Sequence, residues 1–253
     1  MGNWLRRFPV DKPAVSRLVC LPHAGGTAAS FASWAGRLPA EVELIAVQYP
    51  GRQDRLAETP IGDMAEMADQ VAQALRPLLD LPMAFFGHSM GTGLSYEVAG
   101  RLERADGFVA DHLFLSARPA PHRIDGEHRH RLNDEELVAA MRRLGGPDAA
   151  VYDHPELLPL ILPPLRADLA LLDRYRPERL HPLQAPLTVF GGESDDTCPV
   201  TELPSWEEAT TAGARVRLFP GGHHYLRECE DEVLGAVGAE ILAMRRRRQN
   251  SAA

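Results

Sequence analysis

The chain is poor in several things that would define it. It has three cysteines in 253 residues, Cys20, Cys198 and Cys229, far apart in sequence. So few and so scattered, they exclude a disulfide-built domain and suit a reducing cytoplasm. No apolar run approaches the roughly 20 residues that a membrane-spanning helix needs. The opening stretch, MGNWLRRFPVDKP, has no apolar core of the kind a secretory leader carries. Basic residues are outnumbered, 27 Lys and Arg against 35 Asp and Glu, so the net charge is −8. That disfavours general nucleic-acid binding. The MRRRRQNSAA tail runs the other way and reads as the frayed, dipole-matched end of a helix. Repeats and low-complexity linkers are absent too. What remains, 45% hydrophobic residues, is enough to bury a sizeable core.

Short apolar runs alternate with helical patterns. The spacing predicts strands at 17–21, 42–48, 83–86, 112–116, 186–190 and 215–219. Between them it predicts helices at 27–38, from Thr59-Pro60 onward through Met64, Met67, Val71 and Leu75, at 90–104, and finally at 230–244. Strands that are apolar throughout imply a mostly parallel sheet covered by helices on both faces. The alternation stops between Arg118 and Pro182. That stretch carries two helical patterns, 133–144 with a capping-box-like Asn133 and Glu136, and 155–175, which Pro163-Pro164 should break or kink. We read 118–182 as a helical insertion lying over the ligand crevice, on a core formed by 1–117 and 183–253.

Gly87-His88-Ser89-Met90-Gly91 fits the G-x-S-x-G elbow, and it follows a strand and opens a helix. There a serine is held up in a strained turn, and the glycines let helix and strand approach. A serine nucleophile needs a base, and the base needs an orienting acid, in chain order Ser, Asp or Glu, His. GGESDD follows one late strand and offers Asp195 or Asp196. GGHH follows the next and offers His223, with His224 as packing. An oxyanion needs backbone N–H donors, expected from Met90 and from Ala24 in the early PHAGG loop. His23 in that loop reads as structural.

These residues and their neighbours resemble the type II thioesterases of the α/β-hydrolase superfamily. Such stand-alone enzymes accompany polyketide and nonribosomal peptide synthetases. The resemblance rests on LPHAGGTAASFASW, YPGRQDR, FGHSMG, FLSARPAP, SWEEAT and FPGGHHYL, in that order along nearly the whole chain. It implies Ser89 as nucleophile, His223 as base, Ala24 and Met90 as oxyanion donors, and 118–182 as a lid. It also implies hydrolysis of acyl groups from the phosphopantetheine arm of an acyl or peptidyl carrier protein, with no cofactor and no metal of the enzyme's own. The acid departs from the family's usual G-x-x-D-P-type turn. Counting from the first glycine favours Asp195 over Asp196. Gln53 stands where the family more often has an acid. A serine esterase or an acyltransferase on the same fold is the alternative. Carrier docking on an acidic enzyme would need a local basic patch, and Arg118, Arg123, Arg129, Arg131, Arg142 and Arg143 supply candidates. A metal site at His122, Asp125, Glu127, His128 and His130 matches no zinc spacing.

Overall fold

The structure is a computed structural model; it describes residues 3–124, 128–146, 149–177 and 179–251. Seven strands form one sheet: β1 (Leu5–Phe8), β2 (Ser16–Leu21), β3 (Val42–Val47), β4 (Met83–His88), β5 (His112–Ser116), β6 (Leu187–Gly192) and β7 (Ala214–Phe219). Their spatial order is β1-β3-β2-β4-β5-β6-β7, and every pairing but β1 with β3 is parallel.

Period-two alternation sorts the strand side chains into two layers. Val19, Leu21 and Phe85 pack with α1 (Met64–Leu75) and α2 (Met90–Asp106) on one face. Leu18, Cys20 and Phe86 pack with α5 (Glu230–Ser251) on the other, through Val233, Val237 and Ile241. Between β5 and β6 the chain carries α3 (Asp134–Leu144) and α4 (Leu158–Arg174). Leu137, Val138 and Met141 of α3 meet Leu162, Leu165 and Leu169 of α4 in a third, smaller cluster. Farther along, Leu171 and Leu172 of α4 belong to the main core.

Several expected elements take a different form. The 27–38 segment is a 3-10 helix, Ala28–Trp34, not an α-helix. Its i,i+3 spacing sets Phe31 edge-on to Trp34, rings 5.2 Å apart, and both lie edge-on to Phe86. Thr59-Pro60 does not open α1. Pro60 packs against Gly51, where a Cβ would come within 2.6 Å of its ring. The helix starts four residues beyond Pro60, after Asp63, whose side chain accepts from Glu66 N at 2.9 Å. The proline pair leaves α4 unbroken. The carbonyls deprived of a donor belong to the exposed Pro159 and Leu160, where water can reach them. The last helix continues to Ser251 because its arginines find acceptors on the core: Arg245 on Glu41 at 2.8 Å, Arg248 on Asp111. Strand β1 was not anticipated; LRRF has no alternation, and it lies at the sheet edge.

Candidate active site

Three strand ends converge. The β4–α2 turn holds Ser89 at φ 53°, ψ −110°, a left-handed backbone rare for a residue with a side chain. Neighbours enforce it. A Cβ on Gly87 would sit 2.1 Å from the Gly91 carbonyl oxygen, and one on Gly91 would sit 2.0 Å from that of Leu21. Ser89 N donates to Ser116 O at 2.8 Å. The buried Thr92 hydroxyl lies 2.9 Å from Gly87 O and 2.7 Å from Ser116 O, tying the turn to β5.

His223, after β7, brings Nε2 to 3.0 Å from Ser89 Oγ. Its Nδ1 lies 2.8 Å from Asp195 Oδ2, after β6. The other carboxylate oxygen of Asp195 accepts from Thr197 N (2.9 Å), Thr197 Oγ1 (2.8 Å) and Cys198 N (3.1 Å). Burial pushes the Asp195 pKa up. Hydrogen bonds from His223 and Thr197 outweigh this and hold it below the usual carboxylate value. Asp195 is buried and Asp196 is exposed, so the structure brings Asp195, and not Asp196, to His223.

A cavity of about 520 Å³ opens at Ser89. His23, Ala24 and Gly25 line it on the sheet side, Met141 and Leu144 of α3 and Ile161, Leu165 and Leu169 of α4 on the other. The backbone N–H groups of Ala24 and Met90 have no acceptor among the described residues.

Two features escaped the sequence reading. His88 is part of an imidazole group with His23, His223 and His224, ring centroids 5.1–6.0 Å apart. Its Nδ1 meets Ser116 Oγ at 2.8 Å, and that hydroxyl meets Tyr225 OH at 2.6 Å. Burial, and then the neighbouring rings, push the pKa of His88 well below normal. Burial with His223 and Arg52 lowers His23 to about 4, and burial with His23 and His223 lowers His224 to about 3. The second feature is a buried ion pair. Arg52 donates from Nη1 and Nη2 to both oxygens of Asp168 on α4, at 2.7 and 2.9 Å. The sequence signal for it was an acid on the apolar stripe of α4, three residues after Leu165 and four before Leu172.

The arginine candidates divide. Arg118, Arg123 and Arg129 line the cavity. Arg142 is held by Tyr152 O (2.8 Å) and Asp153 (2.7 Å), while Arg131 and Arg143 are exposed. Of the excluded metal set, Asp125 and Glu127 lie outside the described residues, and His130 is bonded to Asp173. Among the described residues no cluster of His, Cys, Asp or Glu suits a metal ion, and no helix is long and apolar enough to cross a membrane.

A serine on a strained strand–helix turn, hydrogen-bonded to a histidine that a buried carboxylate orients, defines a serine hydrolase. Comparison with known proteins narrows the class. The family model for the thioesterase domain matches residues 16–241. The chain belongs to that family and is a serine hydrolase acting on thioesters. It is similar to thioesterase PikA5 of Streptomyces venezuelae, 36% identical over 96% of this chain and 87% of that one. It is similar also to the gramicidin S biosynthesis protein GrsT of Aneurinibacillus migulanus, 34% identical over 92% of both. Among solved structures, the type II thioesterase BorB from the borrelidin biosynthetic cluster superposes with a TM-score of 0.87. Its identity is 40%, over 94% of this chain and 97% of that one. The sheet is therefore that of an α/β-hydrolase.

Proposed function

We propose that this protein hydrolyses acyl groups from the phosphopantetheine arm of an acyl or peptidyl carrier protein. The role is editing or release in polyketide or nonribosomal peptide biosynthesis. The observation that carries the reading is the Asp195–His223–Ser89 line ending in the cavity under α3 and α4. His223 Nε2 takes the Ser89 proton as Oγ attacks the thioester carbonyl. Asp195 holds the Nδ1–H tautomer and faces the imidazolium that forms. The N–H groups of Ala24 and Met90 receive the oxyanion. The protonated His223 gives its proton to the departing thiolate, leaving an acyl-serine. It then activates water, and hydrolysis regenerates Ser89.

Residues 118–182 serve as the lid over the acyl chain, whose walls are the leucines and methionine of α3 and α4. The chemistry needs no cofactor or metal of the enzyme's own. Three buried free thiols, Cys20, Cys198 and Cys229, support a cytoplasmic setting. The exposed Arg131 and Arg143 and the cavity-rim arginines offer cationic contacts to an acidic carrier.

Mass spectrometry of the purified enzyme with a panel of acyl-carrier proteins tests the reading. An acyl adduct on Ser89 and release of free acid are expected. Ser89→Ala should lower kcat by about 10⁴-fold or more. Faster turnover of oxyesters, or transfer to an added acceptor in place of hydrolysis, would replace it with an esterase or acyltransferase.

A further inference from the structure

The PHAGG loop and α4 are joined by the buried Arg52–Asp168 pair. Gly26 N donates to His23 O at 2.9 Å, closing a turn with Ala24 and Gly25 at its centre. Gly25 has φ +77° and Ala24 does not have a positive φ, which is the pattern of a type II turn. Turns of type I and II differ in the direction of the central peptide, here Ala24–Gly25. That peptide's N–H donates to Asp168 Oδ2 at 2.8 Å. The same oxygen takes Arg52 Nη1 at 2.7 Å, and Nη1 also reaches Gly26 O at 3.2 Å. Asp168 and Arg52 therefore grip the turn on both sides of Gly25, one residue from the Ala24 N–H. Both are buried, at 0% and 5% exposure, so the contacts are poorly screened by solvent.

Asp168 is not part of the turn's own chain neighbourhood. It comes from α4, whose Leu165 and Leu169 wall the cavity. A Cβ on Gly25 would touch Leu165 Cδ1 at 3.3 Å, so helix and turn are in contact. Ala24 itself packs against both the main core and the α3–α4 cluster.

We propose that Asp168, fixed by Arg52, is a positioning residue: by holding the Ala24–Gly25 peptide it fixes the turn, and with it the adjoining His23–Ala24 peptide whose N–H points to the oxyanion. The oxyanion site is then complete only when α4 is docked. The proposal rests on the assignment of Ala24 as an oxyanion donor. It adds that the donor's orientation is supplied from the lid.

The test must keep the buried charges balanced, since removing one partner strands the other. In Arg52→Met/Asp168→Leu both charges go together. On an acyl-pantetheine thioester kcat should fall about 100-fold, as for a misplaced oxyanion donor, with KM within about twofold. Affinity for a trifluoromethyl ketone, which forms a tetrahedral adduct on the serine, should fall by a similar factor. Arg52→Lys keeps the pair neutral but gives up the fork. It should lower kcat about tenfold at unchanged KM, and it decides the matter if the double variant does not fold. A folded variant with wild-type kcat overturns the proposal. So does a kcat loss with ketone affinity unchanged. Ser89→Ala, tested with a fluorophosphonate label, separates this from failure of the mechanism itself. Activity that survives Ser89→Ala sinks the serine mechanism. Activity lost there but kept in the charge-pair variants sinks only the role of Asp168.

Discussion

The two sides of the cavity are built differently. On the sheet side, Ser89, Asp195 and His223 stand at the ends of β4, β6 and β7, inside a core that continues through both faces of the sheet. On the other side, Leu137, Val138 and Met141 of α3 and Leu162 and Leu165 of α4 belong to a separate, smaller cluster, against which Ala24 packs. The second half of α4 returns to the main core, where Tyr175, just past its end, donates to Glu97 at 2.5 Å. The chemistry is thus placed on the part of the fold with most support. The cavity wall formed by α3 and α4 is placed on the part with least. Under the proposed function, a separately packed cover would let the site meet different acyl chains without disturbing its catalytic geometry.

The difference can be probed from both sides. The largest effect belongs to the sheet. Asp195→Asn should lower kcat by about 10³- to 10⁴-fold with little change in melting temperature, and Asp196→Asn by less than about twofold. Equal losses in steady-state assays would remove Asp195 from the mechanism. Next comes Gly91→Ala, whose new Cβ would strike the Leu21 carbonyl. We expect a loss of about 3 kcal/mol or more in denaturant unfolding, because backbone cannot yield as a side chain tip can. On the lid side, Leu137→Ala should cost about 2 kcal/mol or more, but locally. Hydrogen exchange should report faster opening of α3, roughly 30-fold, with α2 amides unaffected. Uniform acceleration across both helices would mean that the two regions unfold as one.

The smallest effect is in pH. His23 and His224 titrate at about 4 and about 3 in the folded state and near 6.5 when unfolded, and His88 is lowered too. The unfolded chain therefore binds more protons in that window, and stability falls as pH drops from about 6.5 toward 4. His224→Gln should make melting temperature less steep over that range. An unchanged slope would exclude His224 as a contributor.

Much of the sheet side was legible. Parallel strands buried on both faces are apolar throughout, and each catalytic candidate follows one directly. Asp195 could not be separated from Asp196 by spacing, because what separates them is burial and the amides of Thr197 and Cys198. The lid side was legible as helices, and its Asn133 cap formed as expected: the side chain accepts from Glu136 N at 2.9 Å. Its long-range polar link was not. Arg52 and Asp168 lie 116 residues apart in sequence, and only the fold brings them together. The role of His88 was hidden for a similar reason. In the elbow it occupies a variable position, and its partners Ser116 and Tyr225 come from elsewhere in the chain.

The backbone at Ser89 also narrows which amino acids this position can explore. Threonine would keep a hydroxyl, and by chemistry alone it is the nearest substitute. Yet a β-branched residue at φ 53°, ψ −110° would crowd its own backbone. The unbranched cysteine meets no such barrier. At residue 89 a thiol therefore fits the backbone where threonine does not, and conformation limits the position before reactivity is ever tested.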